Sequence, residues 1–218
     1  MGNQQAKFRK IYLLILALTG WFALIGQLYI IIQNRTASIP GTIIRYFSFF
    51  TILTNLLVAI CSTILLLNRK NRWLKFFSGL KNITAITVYI TVVGLVYNVI
   101  LRFLWSPVGF QFLIDELLHT IIPVLFILFW ILFVPKAGLK AKDILPWLLF
   151  PFLYVIYILI RGAFTGLYPY PFIDVKELGY SKVLLNSGFL VIVFVVFSLL
   201  YVAIDKFFKS SSDFKIAM

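Results

Sequence analysis

Long apolar stretches alternate with short polar ones along this chain, and each apolar stretch is of one size class. Six of them cover residues 11–32, 44–67, 83–105, 113–134, 145–164 and 183–204. A run of about 20 apolar residues matches the ~30 Å hydrocarbon layer of a bilayer when wound as an α-helix. The pattern therefore predicts an all-α, polytopic membrane protein with six transmembrane helices. The connections are short, so residues 1–218 read as a single six-helix membrane domain.

Composition supports this. The chain is 62% hydrophobic and 12% charged, with a mean hydropathy of +1.01, which is outside the range of soluble domains. The net charge of +13 would suit a nucleic-acid partner if the charges formed one patch. They do not. With the N-terminus placed in the cytoplasm, fourteen of the twenty Lys and Arg fall on inside segments and six on outside segments. That is the positive-inside bias, and it predicts both termini in the cytoplasm of a multi-pass protein. Nucleic acid is not an expected partner. The basic inner loop 68–81 carries Trp73 and two phenylalanines and is expected to lie at headgroup level. The polar tail, 210–218, is expected to be mobile. A single cysteine, Cys61, permits no internal disulfide, and with one histidine no zinc site of Cys and His can be built. No metal or cofactor is expected.

Polar residues inside the spans are the informative exceptions, because each is costly there without a partner or a task. His119 lies within the fourth apolar stretch. Asp115 and Glu116 precede it by four and three residues, on the same helix face. Pro123 follows by four and brings no N–H to the His119 carbonyl, which loosens the helix at the histidine. In the second stretch, Ser48, Thr51 and Asn55 fall on one helical stripe. Arg102, Arg161, Asn186 and Asp174 all sit near the outer ends of their spans. Helix rise places His119 and Ser48 within ~10 Å of that same level, so one polar layer is expected near the outer leaflet. Prolines 146 and 151 predict a bent fifth helix. The segment 162–174, rich in glycine, proline and aromatics, reads as a structured lid beyond the helix.

Such a layer suits hydrolysis of an ester held in the membrane. His119 has the right unperturbed pKa to act as base towards a hydroxyl. Asp115 can fix its tautomer, as the third member of a triad does. Asn55 or a serine hydroxyl can donate to an oxyanion. Spacing does not choose between Ser48 and Thr51 as nucleophile. A non-catalytic lipid-binding or transport protein is the alternative, with Arg102 and Arg161 binding phosphate or carboxylate.

Four stretches also carry a resemblance: Tyr46-Phe-Ser-Phe-Phe-Thr-Ile-Leu-Thr-Asn-Leu-Leu57, Leu118-His-Thr-Ile-Ile-Pro123, 154–161, and Thr165-Gly-Leu-Tyr-Pro-Tyr-Pro-Phe172. In these the chain resembles the bacterial Pr-six-Pr integral membrane family, related to the androgen-induced and androgen-dependent membrane proteins of animals. The resemblance implies a hydrolase of fatty acid esters of hydroxy fatty acids, with a threonine nucleophile and a histidine, located in a bacterial cell membrane. The family histidine falls on His119. The nucleophile position falls on Ser48, with Thr51 where the family carries an acid. The implied substrate is a membrane lipid or lipid-like ester. Oligomeric state is not readable.

Overall fold

The computed structural model describes residues 3–136 and 138–216, with the backbone alone from residue 209. The side chains of the tail 210–218, and the whole of its last two residues, lie outside the described residues. Among the described residues nine α-helices follow in order: α1 (Asn3–Gln33), α2 (Ile39–Tyr46), α3 (Phe50–Leu67), α4 (Arg72–Phe77), α5 (Leu80–Val99), α6 (Gly109–Glu116), α7 (Ile122–Phe133), α8 (Ile144–Thr165) and α9 (Val175–Ile216). No strand occurs among the described residues. Six helical stretches there are long and apolar enough to cross a membrane, as the hydropathy pattern predicts. By packing, the helices divide into two compact units, 1–135 and 136–218.

In the first unit α1 packs on α3, α3 on α5, and α5 on α7. Small residues set the first of these contacts. A Cβ added to Gly20 would stand 3.1 Å from the Ala59 Cβ, so the glycine lets two backbones approach. The buried core beneath is Leu13, Leu16, Val58, Ile90, Ile122, Phe126, Phe129 and Trp130. Polar side chains cross between helices where an aromatic ring carries them: Tyr46 donates to the Leu24 carbonyl at 2.8 Å and the Trp130 indole to the Thr84 hydroxyl at 2.8 Å.

Two spans depart from the expected outline. The second is not one helix from residue 44. It breaks at 47–49, between α2 and α3. Ser38 caps α2, its hydroxyl accepting from the Gly41 N–H, and Pro40 sits in the first turn where its missing N–H costs nothing. The Ser48 N–H then closes α2 onto the Arg45 carbonyl at 3.0 Å. The fourth span carries a wider turn, 117–121, between α6 and α7, at the histidine.

In the second unit Pro146 falls in the first turn of α8, leaving Pro151 as the interior proline. The helix runs through Gly162-Ala-Phe-Thr165, further than expected, and ends where Gly166 turns left-handed at φ 66°. The chain then folds back. The Tyr168 ring occupies the space a Cβ on Gly162 would fill, 2.0 Å away. α9 begins at Val175 and carries a non-helical residue at Gly179. Among the described residues of this unit Asp143 and Asp205 are buried. Asp143 accepts from the Lys140 N–H, and Asp205 from the N–H groups of Gly138 and Leu139 at 3.0 and 2.9 Å. These lie away from the expected polar layer, at the connection before α8. Burial pushes the nearby Lys136 down to about 8, with Asp205 working against it.

The glycine contacts generate a contrast. Gly20→Leu should destabilise the detergent-solubilised protein by about 1–3 kcal/mol through overpacking against Ala59. Gly188, in the interior of α9, has nothing within 4 Å of an added Cβ. Gly188→Ala should be neutral or raise stability by about 0.5–1 kcal/mol. Thermal unfolding of the two variants beside the parent checks both.

Candidate functional site

The fourth span is α-helical on both sides of the histidine and π-helical at it. The Ile122 N–H reaches back five residues to the Leu117 carbonyl. Passing from that register into an ordinary helix leaves one carbonyl without a donor. Pro123 has no N–H, so a second is left as well. A buried carbonyl with no partner costs ~1–3 kcal/mol, so both need donors from outside the helix.

Two asparagines supply them. Asn55 of α3 donates to the Leu118 carbonyl at 3.1 Å and to the Thr51 carbonyl at 2.9 Å. Asn98 of α5 donates to the His119 carbonyl at 3.2 Å and to the Gly94 carbonyl at 2.9 Å. Each amide thus bridges its own helix to the π turn. Gly94 makes the second bridge short: a Cβ there would meet the Pro123 Cβ at 3.1 Å and the His119 carbonyl oxygen at 3.2 Å.

The imidazole is held in one state by its partners. His119 Nδ1 lies 2.9 Å from the Asp115 backbone carbonyl and 3.3 Å from the Asp115 carboxylate. A carbonyl oxygen only accepts, so Nδ1 carries the proton. In the neutral ring the lone pair is then on Nε2. The ring's flat face stacks on Tyr97, centroids 4.0 Å apart and planes 15° from parallel. The Tyr97 hydroxyl in turn donates to the Asp115 carboxylate. Asp115 is buried at 4% exposure, and these contacts compensate its charge.

A second cluster adjoins the first. Arg102 pairs with Glu116 and donates to Asn98 Oδ1 at 2.6 Å. The Thr120 hydroxyl stands 3.3 Å from the same amide. Through Asn98, the Arg102–Glu116 pair is therefore tied to the carbonyl of the histidine.

His119, Asp115, Asn55 and Arg102 belong to this network. Asn55 cannot serve as the oxyanion donor considered above, because both of its amide hydrogens are engaged on carbonyls. Its Oδ1 is buried with no hydrogen-bond partner among the described residues. Ser48 is buried but is not on the helical stripe of Thr51 and Asn55; it lies in the break before α3, and its hydroxyl donates to the Ile44 carbonyl at 2.6 Å. Thr51 stands in the first turn of α3, buried at 7% exposure. Arg161, Asn186 and Asp174 lie in the second unit and hold its connecting segment. Arg161 donates to the Leu167 carbonyl at 3.2 Å and Asn186 to the Phe172 carbonyl at 2.8 Å. Asp174 caps α9 through the Lys176 N–H at 2.9 Å.

Tyr97 and Asn98 are the residues that site reasoning missed. The signal for Asn98 was a stripe at four-residue spacing, Gly94, Asn98 and Arg102, on the third span; Tyr97 lies beside that stripe and carried none. Compared with known protein families, curated proteins and solved structures, the chain matches none.

The clamp predicts a coupling. Asn98→Ala should cost about 1–3 kcal/mol by orphaning the His119 carbonyl. In a Pro123→Ala background the restored N–H stands four residues from that carbonyl. The same Asn98→Ala change should then cost less, with a coupling of about 1 kcal/mol in a double-mutant cycle read by denaturation in detergent.

Proposed function

We propose that this protein is an intramembrane Ser/Thr hydrolase of lipid-like esters, with His119 as its base. The observation that supports it is the Nδ1 contact to the Asp115 carbonyl, which leaves Nε2 as a fixed proton acceptor.

In this reading a hydroxyl of α3 or its leading turn attacks the ester carbonyl and gives its proton to Nε2. The tetrahedral intermediate collapses, the ester C–O bond breaks, and the imidazolium returns the proton to the leaving alkoxide. Water, activated by the same nitrogen, then hydrolyses the acyl-enzyme. Thr51 is the better nucleophile of the two. Its own carbonyl shares the Asn55 amide with the Leu118 carbonyl, which puts the first turn of α3 beside the π turn. Fatty acid esters of hydroxy fatty acids are the substrate class implied by the resemblance, and the bacterial cell membrane the location.

Lipid binding without catalysis is the second reading. It draws on the two arginines, but Arg102 is committed to Glu116 and Asn98, and Arg161 to a carbonyl. That leaves less free charge for a headgroup.

Purified protein should hydrolyse a lipophilic ester, and His119→Ala should lower kcat/KM by at least about 100-fold. Thr51→Ala should abolish labelling by a fluorophosphonate, while Ser48→Ala retains it. Activity that survives His119→Ala ends the mechanism. Absence of labelling together with tight retention of a phospholipid would favour the second reading.

A further inference from the structure

The short helix α4 and its flanks form a surface that the hydrolase reading does not use. Residues 68–81 contain Arg69, Lys70, Arg72, Lys75 and Lys81 and no acid. The segment is rigidly built. Asn68 ends α3 in a left-handed conformation at φ 49°. The Asn71 side chain accepts from the Leu74 N–H at 2.9 Å, and Asn82 donates to the Phe76 carbonyl at 2.9 Å.

Its aromatic rings divide between two environments. Phe77 is buried at 5% exposure, whereas Trp73 and Phe76 are each 52% exposed. The Phe77 carbonyl accepts from the Cys61 thiol at 3.9 Å, which fastens α4 to α3. The Arg72 guanidinium lies over the Trp73 ring, 5.1 Å from its centroid. Arg9 of α1 adds an independent observation. This helix packs on α3, and the Arg9 Nε is buried with no hydrogen-bond partner among the described residues. A cluster of basic side chains without an acid, beside two exposed rings at the end of membrane-length helices, suits an anion at the depth of the headgroups.

We propose that this surface binds the phosphate headgroups of anionic phospholipid, with Trp73 and Phe76 seated at the headgroup–acyl boundary. Arg72 and Lys75 flank the two rings and supply the nearest charges. By the charge bias this is the cytoplasmic leaflet. The proposal is independent of the ester chemistry at His119.

The test reconstitutes the full chain in phosphatidylcholine vesicles that contain a small share of brominated lipid. The brominated lipid is either phosphatidylglycerol or phosphatidylcholine. The Trp73 signal is the difference in fluorescence between the parent and Trp73→Phe. Brominated phosphatidylglycerol should quench it at least about twofold more than the zwitterionic quencher. That excess should fall when salt is raised about tenfold, and should vanish in the combined variant Arg69→Gln, Lys70→Gln, Arg72→Gln, Lys75→Gln. The salt arm needs only the parent and Trp73→Phe, so the test stands even if the fourfold variant fails to fold. Equal quenching by the two lipids, or an excess indifferent to salt, overturns the proposal.

Discussion

Two backbone carbonyls, those of Leu118 and His119, are reached by no N–H of their own helix, and the first unit is arranged to answer them. Leaving both unpaired among apolar helices would cost several kcal/mol at ~1–3 each. The answer comes from α3 and α5 as one asparagine apiece. A side-chain amide is short, so each helix must come close, and Gly94 is the residue that allows α5 to do so. Helix spacing, the choice of asparagine and the glycine opposite the proline all follow from one interruption in the fourth span.

That interruption also sets the state of the histidine. Asp115 presents its backbone carbonyl and its carboxylate to Nδ1 from one turn back. Tyr97 covers the ring face and takes up the other carboxylate oxygen. The Arg102–Glu116 pair balances charge beside it. In a medium where an unpaired ion is expensive, the ionisable groups around the ring are paired or hydrogen-bonded, while no hydrogen bond reaches Nε2 from the described residues. This asymmetry between the two ring nitrogens is what gives the hydrolase reading its chemical content.

Much of this was legible in the sequence, and the rest was hidden for identifiable reasons. Apolar run length revealed the six spans. His119, Asp115 and Pro123 share one helix, so local spacing exposed their relation and the loosened backbone. Asn98 and Tyr97 are on a different helix, and their role depends on how α5 is rotated against the π turn, which hydropathy does not encode. The second span read as unbroken because 47–49 is Phe-Ser-Phe, with no glycine or proline to mark the turn. Ser48 was consequently assigned to a stripe it does not share. Arg161, Asn186 and Asp174 lay at the right depth for a common layer, yet each is used locally, in the connection between α8 and α9. Depth along a helix says nothing of the partner a side chain will find.

The presence of one histidine in the chain makes the central claim directly measurable. In protein labelled with ¹⁵N at histidine and reconstituted in lipid, the two ring nitrogens give one resolvable pair of signals at neutral pH. The account predicts a protonated Nδ1 and an unprotonated Nε2, with that tautomer lost in Pro123→Ala if the π turn reverts to α-helix. A ring protonated on Nε2 alone, or an even mixture of tautomers as in free imidazole, would contradict it.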